Sequence, residues 1–173
     1  FEDLKIYPPL KPAIGGVVIG IIALWYPEIF GVGYEAINEA LSGQMLWSLL
    51  LILALVKIVA VSVTLGSGGS GGVFAPSLFI GAMVGGAIGT LVELVWPGAT
   101  GGPGAYALVG MGAVVAAGTH APITAIIIIF ELTNDYQIIL PLMISCIIAT
   151  LLSTRLSKSS IYTLKLRRRG IYL

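Results

Sequence analysis

The part of the sequence best suited to binding chemistry is a glycine-rich stretch that runs from Gly66 to Pro76 (GSGGSGGVFAP). Glycine has no side chain, so the backbone N–H groups of such a segment lie open to a ligand. Pro76 suits the first turn of a helix, where its missing N–H is not needed. Helix N-termini attract anions because their first amides are unpaired and the helix dipole is positive there. The stretch therefore predicts an anion site built from backbone amides.

The other chemically capable side chains stand alone. Lys57 interrupts an apolar segment, and we expect it to snorkel toward a helix end rather than to act in function. His120 is the only histidine, and a hydrogen bond at a helix junction is favoured over a metal or proton-relay role. Cys146, the only cysteine, is expected to be packed or to face lipid. Without a nucleophile–base pair or a metal-ligand cluster, the sequence predicts no enzyme, no metal and no cofactor.

Composition predicts an integral membrane protein whose solvent is the lipid bilayer. The 173 residues are 57% hydrophobic and 10% charged, with a mean hydropathy of +1.02, whereas soluble domains carry roughly 25% charged residues. The net charge of +1 argues against nucleic-acid binding. At membrane depth an unpaired amide costs several kcal/mol. The glycine-rich stretch is therefore expected to line a cavity inside the protein.

Hydrophobic runs predict an all-α fold with several membrane helices. Full spans of about 20 residues are expected at 45–65 and 137–156, and a further helix from Pro76 to about residue 96. Shorter helices are predicted at 13–26, 34–41, 105–118, 122–132 and 161–169. Short helices broken by Gly or Pro are typical of transporters and channels that hold substrate near the midplane.

The chain is predicted to form a single membrane domain, 1–173, with a leading loop at 1–12 and a basic end at 155–173. Six of the nine basic residues follow the last long apolar segment, which places the C-terminus in the cytoplasm. Phe1 stands where an initiator Met is expected and no signal peptide follows, which suggests a fragment.

Gly81, Gly85 and Gly89 recur every four residues and predict close helix packing. Asp135 is expected to cap the next helix.

Three other interpretations of the glycine-rich stretch fail on context. Gly66, Gly68 and Gly71 match the dinucleotide fingerprint, but the flanking segments have membrane length and do not alternate between strands and amphipathic helices. A Walker A loop requires Lys-Ser/Thr after the glycines. A flexible linker rarely runs straight into a helix start.

Five stretches carry a resemblance to a known family. They are 72–76 (GVFAP), 110–113 (GMGA), 121–124 (APIT), 131–136 (ELTNDY) and 161–162 (IY). Together they resemble, in order, the CLC family of chloride channels and proton-coupled anion antiporters. The resemblance implies a bundle of tilted and broken helices and identifies the chain as the second of two inverted-topology repeats.

The resemblance also implies an anion site. The amides of Val73 and Phe74 are expected to coordinate chloride, and the Tyr162 hydroxyl to donate to it, although composition alone favours an aromatic-belt role for Tyr162. The site backbone and helix start are expected to include Gly72, Ala75 and Pro76. The family implies a homodimer formed through helices 122–134 and 137–156.

The family's GSGIP and GREGP motifs, with their coordinating serine and gating glutamate, belong to the other repeat and do not occur here. Glu93 and Glu131 are not expected to replace the family's glutamates. The expected function is that of a voltage-gated-type chloride channel or H+/Cl− antiporter fragment in a prokaryotic plasma membrane, needing the missing N-terminal half for selective flux. The alternative is a non-transporting scaffold or assembly fragment. Channel or antiporter, and chloride, nitrate or fluoride, remain open at this point.

Overall fold

The computed structural model describes residues 10–98 and 101–164, and these residues form a bundle of α-helices. Short 3-10 helices at Pro27–Ile29 and Tyr136–Ile138 precede two of the α-helices. The α-helices in chain order are α1 (Leu10–Trp25), α2 (Tyr34–Leu41), α3 (Trp47–Gly66), α4 (Phe74–Val95), α5 (Gly102–Thr119), α6 (Pro122–Thr133) and α7 (Ile139–Leu156). The all-α prediction is confirmed.

Four segments are long and apolar enough to cross a membrane: α3, α4, α5 and Tyr136–Leu156. The spans predicted at 45–65, after Pro76 and at 137–156 are thereby confirmed. The prediction that α5 is too short was wrong, because α5 begins at Gly102 and has 18 residues. Pro103 lies in the first turn of α5, where a proline is tolerated because its missing N–H is not needed. Gly102 and Gly104 in the same turn do not prevent the helix from forming. With 12 residues, α6 remains short.

Both ends of the chain differ in detail from the predicted boundaries. The described part of the first helix begins at Leu10, inside the predicted leading loop, and it includes Pro12. After α7, the amide of Leu164 donates to the carbonyl of Ser160 at 2.9 Å, which starts the predicted last helix. The rest of that helix, including its basic residues, lies outside the described residues.

The centre of the fold is the pair α4 and α5, which make the most extensive contact of the bundle. A Cβ atom at Gly81 would lie 2.6 Å from the Cα of Met111, and one at Gly89 would lie 2.8 Å from the Cα of Pro103. Gly85 faces the backbone at Tyr106 in the same way. The repeating glycines therefore let the two backbones touch, as the spacing predicts.

The remaining helices pack around this pair. In α2, Ala36, Ile37 and Ala40 are buried whereas Glu35 and Glu39 are exposed, so the helix predicted at 34–41 is present and amphipathic. On the other side, α7 packs on α5 and buries Leu142 and Cys146. Cys146 is thus packed rather than lipid-facing.

Candidate anion site

The segment between α3 and α4 reverses the chain with few internal hydrogen bonds. Ser67 is buried, and its Oγ donates to the carbonyl of Thr64 at 3.0 Å. The amide of Gly69 donates to the same carbonyl at 2.9 Å. Gly68 has a φ of 87°, a left-handed conformation that glycine adopts without strain. These contacts end α3, and the chain then continues to α4.

The amides from Ser70 to Ala75 have no hydrogen-bond acceptor within residues 10–98 and 101–164. The first backbone bond of α4 runs from the amide of Ser77 to the carbonyl of Val73 at 3.1 Å, and the Ser77 hydroxyl donates to that carbonyl at 2.7 Å. Helix formation therefore uses the carbonyl of Val73 and leaves the amides of Val73 and Phe74 unpaired. This is the donor arrangement that binds anions at helix N-termini.

A cavity of about 410 Å³ lies beside this segment. The sequence-predicted residues Gly72, Ala75 and Pro76 line it, together with Ser70 and Gly71 of the same segment. The opposite walls come from α1, from the chain around Gly31 and from α3. Ser70, Gly71 and Gly72 are exposed, so this cavity is partly open, and its described lining includes neither Val73 nor Phe74.

Lys57 lines the same cavity, and its predicted snorkelling is wrong. It lies near the middle of α3 and is only 2% exposed. Its Nζ donates to the carbonyls of Ile29 at 2.8 Å and Gly31 at 2.9 Å, and it lies 4.6 Å from the centroid of the Phe79 ring. The ammonium turns inward because carbonyl dipoles and an aromatic face replace its water there.

The contacts of Lys57 connect three elements of the fold near the glycine-rich stretch. Lys57 belongs to α3, Phe79 to α4, and Gly31 to the turn before α2. Gly33 approaches the Phe79 ring so closely that a Cβ there would lie 2.5 Å from it, and its φ is 79°. Sequence reasoning missed this cluster, for which the available signal was a lysine in the middle of an apolar span.

Tyr162 lies apart from the cavity lining and is 54% exposed. Its hydroxyl makes no hydrogen bond in the described part of the chain. The residue before it is fixed more firmly, since the amide of Ile161 donates to the carbonyl of Gly118 at 2.9 Å. The structure thus brings Gly72 to Pro76 together as one segment and attaches the Tyr162 segment to the end of α5.

His120 ends α5 in a left-handed conformation with a φ of 58°. Its Nε2 lies 3.2 Å from the Oγ of Ser153 in α7. The predicted hydrogen-bonding role at a helix junction is therefore confirmed. Asp135 also acts as predicted, since its Oδ1 accepts from the amide of Gln137 at 2.8 Å.

The acidic residues considered in the sequence lie near the C-terminal ends of helices. The Oε1 of Glu93 accepts from the amide of Gly98 at 3.0 Å, just beyond α4. Glu131 is exposed near the end of α6. Among the described residues, no three His, Cys, Asp or Glu side chains are grouped as a metal site would need. What the site offers chemically is hydrogen-bond donors and positive charge.

Comparisons with known proteins agree on one family. A family model described as "Voltage gated chloride channel" matches residues 1–154. The chain is 39% identical over 168 residues to a ClcB-like chloride channel protein of Ralstonia nicotianae, covering 97% of this chain and 39% of that protein. It is 38% identical over 162 residues to the voltage-gated ClC-type chloride channel ClcB of Escherichia coli, covering 94% of this chain and 39% of that protein.

A solved structure gives the same result at the level of the fold. The crystal structure of a slow cyanobacterial Cl−/H+ antiporter superposes with a TM-score of 0.71 at 28% sequence identity. The match covers 94% of this chain and 45% of the antiporter chain. The chain thus spans less than half the length of the relatives it matches.

Proposed function

Because the chain belongs to the CLC family of voltage-gated chloride channels and antiporters, we propose that it forms one wall of an anion pathway. In this proposal the amides of Val73 and Phe74 coordinate chloride or another small anion, and the Tyr162 hydroxyl donates to it. Gly72, Ala75 and Pro76 shape the backbone of the site. The observation that carries the proposal is the run of unpaired amides at the start of α4, beside a partly open cavity.

The physical chemistry of these donors suits transport better than permanent binding. Neutral amide and hydroxyl dipoles can replace part of an anion's hydration shell. A cationic side chain in direct contact with the anion would hold it too tightly for it to leave. Lys57 donates to two carbonyls. Its charge therefore acts from the cavity wall, and the contacts to the anion come from amides.

The proposed pathway is completed by residues that this chain does not contain. The relatives named chloride channel or antiporter are more than twice as long as the matched region, so we assign the remaining wall to the other repeat of the fold. We accordingly expect little selective flux from residues 1–173 alone. Transport of an anion, rather than an enzymatic reaction, is the activity proposed.

The proposed setting is a prokaryotic plasma membrane with the basic C-terminal end in the cytoplasm, which follows from the positive-inside rule. The proposed assembly is a homodimer through 122–134 and 137–156. The outer faces of α6 and α7 support this, because large apolar side chains remain exposed on both.

The decisive experiment removes single amides from the site. Replacing Phe74 by the corresponding α-hydroxy acid turns its N–H into an ester oxygen and keeps the side chain. In the complete polypeptide, reconstituted in chloride-loaded liposomes, we expect about tenfold weaker apparent chloride affinity, since a hydrogen bond to a charged group contributes about 1.5–3 kcal/mol. Chloride efflux measured over a range of chloride concentrations reports this affinity.

The matched control is the same ester substitution at Thr124. Its amide lies in the first turn of α6 and also has no acceptor within the described residues, so it tests a helix N-terminus outside the proposed site. Equal losses at Phe74 and Thr124 would contradict the proposal. A folded complex with no flux in any form would favour the alternative of a non-transporting scaffold.

A further inference from the structure

The hydrogen bonds at the C-terminal end of α5 connect α7 to the segment that carries Tyr162. The Oγ of Ser153, in α7, donates to the carbonyl of Ala117 at 2.6 Å. A serine hydroxyl has one hydrogen, so toward His120 the same oxygen can only accept. The Nε2 of His120, 3.2 Å away, must therefore carry a hydrogen and donate it to Ser153.

The backbone at this end of α5 directs both contacts. The amide of His120 donates to the carbonyl of Ala116 at 2.9 Å, and the left-handed φ of 58° then turns the chain out of the helix. The carbonyl of Gly118 accepts from the amide of Ile161 at 2.9 Å. Two successive carbonyls, of Ala117 and Gly118, thus receive one bond from α7 and one from the segment next to Tyr162.

The side-chain packing follows the same connection. A Cβ atom at Gly118 would lie 3.6 Å from the Cδ1 of Ile161, which is ordinary van der Waals contact. The amide of Thr163 also lies 3.3 Å from the Oγ of Ser160, which makes the chain on both sides of Tyr162 locally ordered. The described contacts that hold this segment to the helical bundle include the Ile161–Gly118 pair, so its position depends on the last turn of α5.

We propose that Ser153, acting with His120, is a positioning residue for Tyr162. Ser153 fixes the last turn of α5 to α7, and the fixed Gly118 carbonyl in turn holds Ile161 and places the Tyr162 hydroxyl. This inference rests on the proposed role of Tyr162 as an anion donor. Ser153 itself does not contact the anion in this account. Its effect on transport passes through Tyr162.

The structural half of the inference is tested by hydrogen exchange in the complete polypeptide. Ser153→Ala removes both bonds of the hydroxyl, and we expect the peptide covering residues 157–164 to exchange about fivefold faster, the factor that corresponds to one lost hydrogen bond. Thr150→Val is the matched control, because its hydroxyl bonds only within α7, to the carbonyl of Cys146 at 2.8 Å. Thr150→Val should leave exchange of that peptide unchanged.

His120→Asn gives a second variant of the same connection. Asparagine accepts the left-handed backbone conformation, so the turn after α5 is kept while the reach to Ser153 is lost. We expect it to accelerate exchange in 157–164 as Ser153→Ala does. Ser153→Thr keeps a hydroxyl and should return exchange toward that of the unmodified protein.

The functional half is tested by a double-mutant cycle on chloride flux. If Ser153 acts through Tyr162, Ser153→Ala should lower the apparent chloride affinity about fivefold when Tyr162 is present and have almost no effect in a Tyr162→Phe background. A merely structural role would lower flux equally in both backgrounds, and that result would overturn the inference.

The two readouts separate this inference from the proposed function. Unchanged exchange in Ser153→Ala, together with a flux that responds to Tyr162→Phe, overturns the positioning role alone. A flux that Tyr162→Phe leaves unchanged removes Tyr162 from the anion site, and overturns both its proposed role and the inference that depends on it.

Discussion

Lys57 is the charged side chain that the described fold buries most completely, at 2% exposure. Burying a charge is costly unless hydrogen bonds and favourable dipoles replace its water. Here two carbonyls and the Phe79 ring do so. The same bonds fix the chain at Ile29 and Gly31, which forms the cavity wall opposite the glycine-rich stretch. Lys57 therefore holds the shape of the cavity as well as placing positive charge beside it.

We expect Lys57→Met to destabilise the protein by about 2 kcal/mol, since methionine fills a similar volume but leaves two buried carbonyls without their charged donor. Thermal unfolding of the complete polypeptide in detergent measures the change. Lys158→Met makes the same substitution at an exposed lysine and should change stability by less than about 0.5 kcal/mol. Equal melting temperatures for Lys57→Met and the unmodified protein would contradict the anchoring role.

At the scale of the helices, α1 supports the glycine-rich stretch through one close contact. A Cβ atom at Gly15 would lie 2.5 Å from the Oγ and 2.7 Å from the Cβ of Ser67, the buried residue that closes α3. At Gly16, the next residue of the same helix, a Cβ would meet nothing within 4 Å. Of these two neighbouring glycines, one is thus required by packing and the other is open.

These two glycines give a matched pair of substitutions. Gly15→Ala should cost about 1–3 kcal/mol, because the added methyl group must displace Ser67 and overpack the contact between α1 and α3. Gly16→Ala should be neutral or stabilising by up to about 1 kcal/mol through helix propensity. Chemical unfolding of the two variants tests this difference. A Gly15→Ala protein as stable as Gly16→Ala would show that α1 can move away from Ser67 without cost.

The sequence allowed prediction of elements whose signal is local. The spans α3, α4 and α7 follow from long apolar runs, and the contact of α4 with α5 follows from glycines spaced by four. The start of α5 was misjudged because Gly102, Pro103 and Gly104 resemble a loop until a partner helix packs on them. At the site, the unpaired amides follow from glycine and proline positions along one segment.

The long-range parts of the site could not be predicted from the sequence. Lys57 contacts carbonyls 26 and 28 residues away in the chain. Because every residue has a backbone carbonyl, the residue types do not show which carbonyl a side chain will contact. Ser153 contacts the carbonyl of Ala117, 36 residues away, for the same reason. Local patterns specify which groups are available to a site, while tertiary packing decides which of them meet.

At the scale of the whole molecule, the outer face of α7 is exposed along most of its length. Of its residues only Leu142 and Cys146 are buried, and the opposite side of the helix carries exposed apolar side chains at i, i+4 spacing, among them Leu140, Ile144 and Ile148. Lipid can cover such a face, but a continuous apolar stripe of branched side chains also suits packing against another helix. Together with α6 this is the surface that we assign to the homodimer.

We expect Ile144→Trp to weaken that dimer, because the larger ring must be accommodated at the centre of the proposed interface, where overpacking costs about 1–3 kcal/mol per side. The measurement is the monomer–dimer equilibrium of the complete polypeptide in detergent or liposomes, read by single-molecule subunit counting. Leu94→Trp is the control, since Leu94 is 77% exposed at the end of α4 and lies outside 122–134 and 137–156. We propose that each complete polypeptide carries its own pathway, so the monomeric Ile144→Trp protein should still pass chloride. A dimer fraction equal to that of Leu94→Trp would place the interface elsewhere.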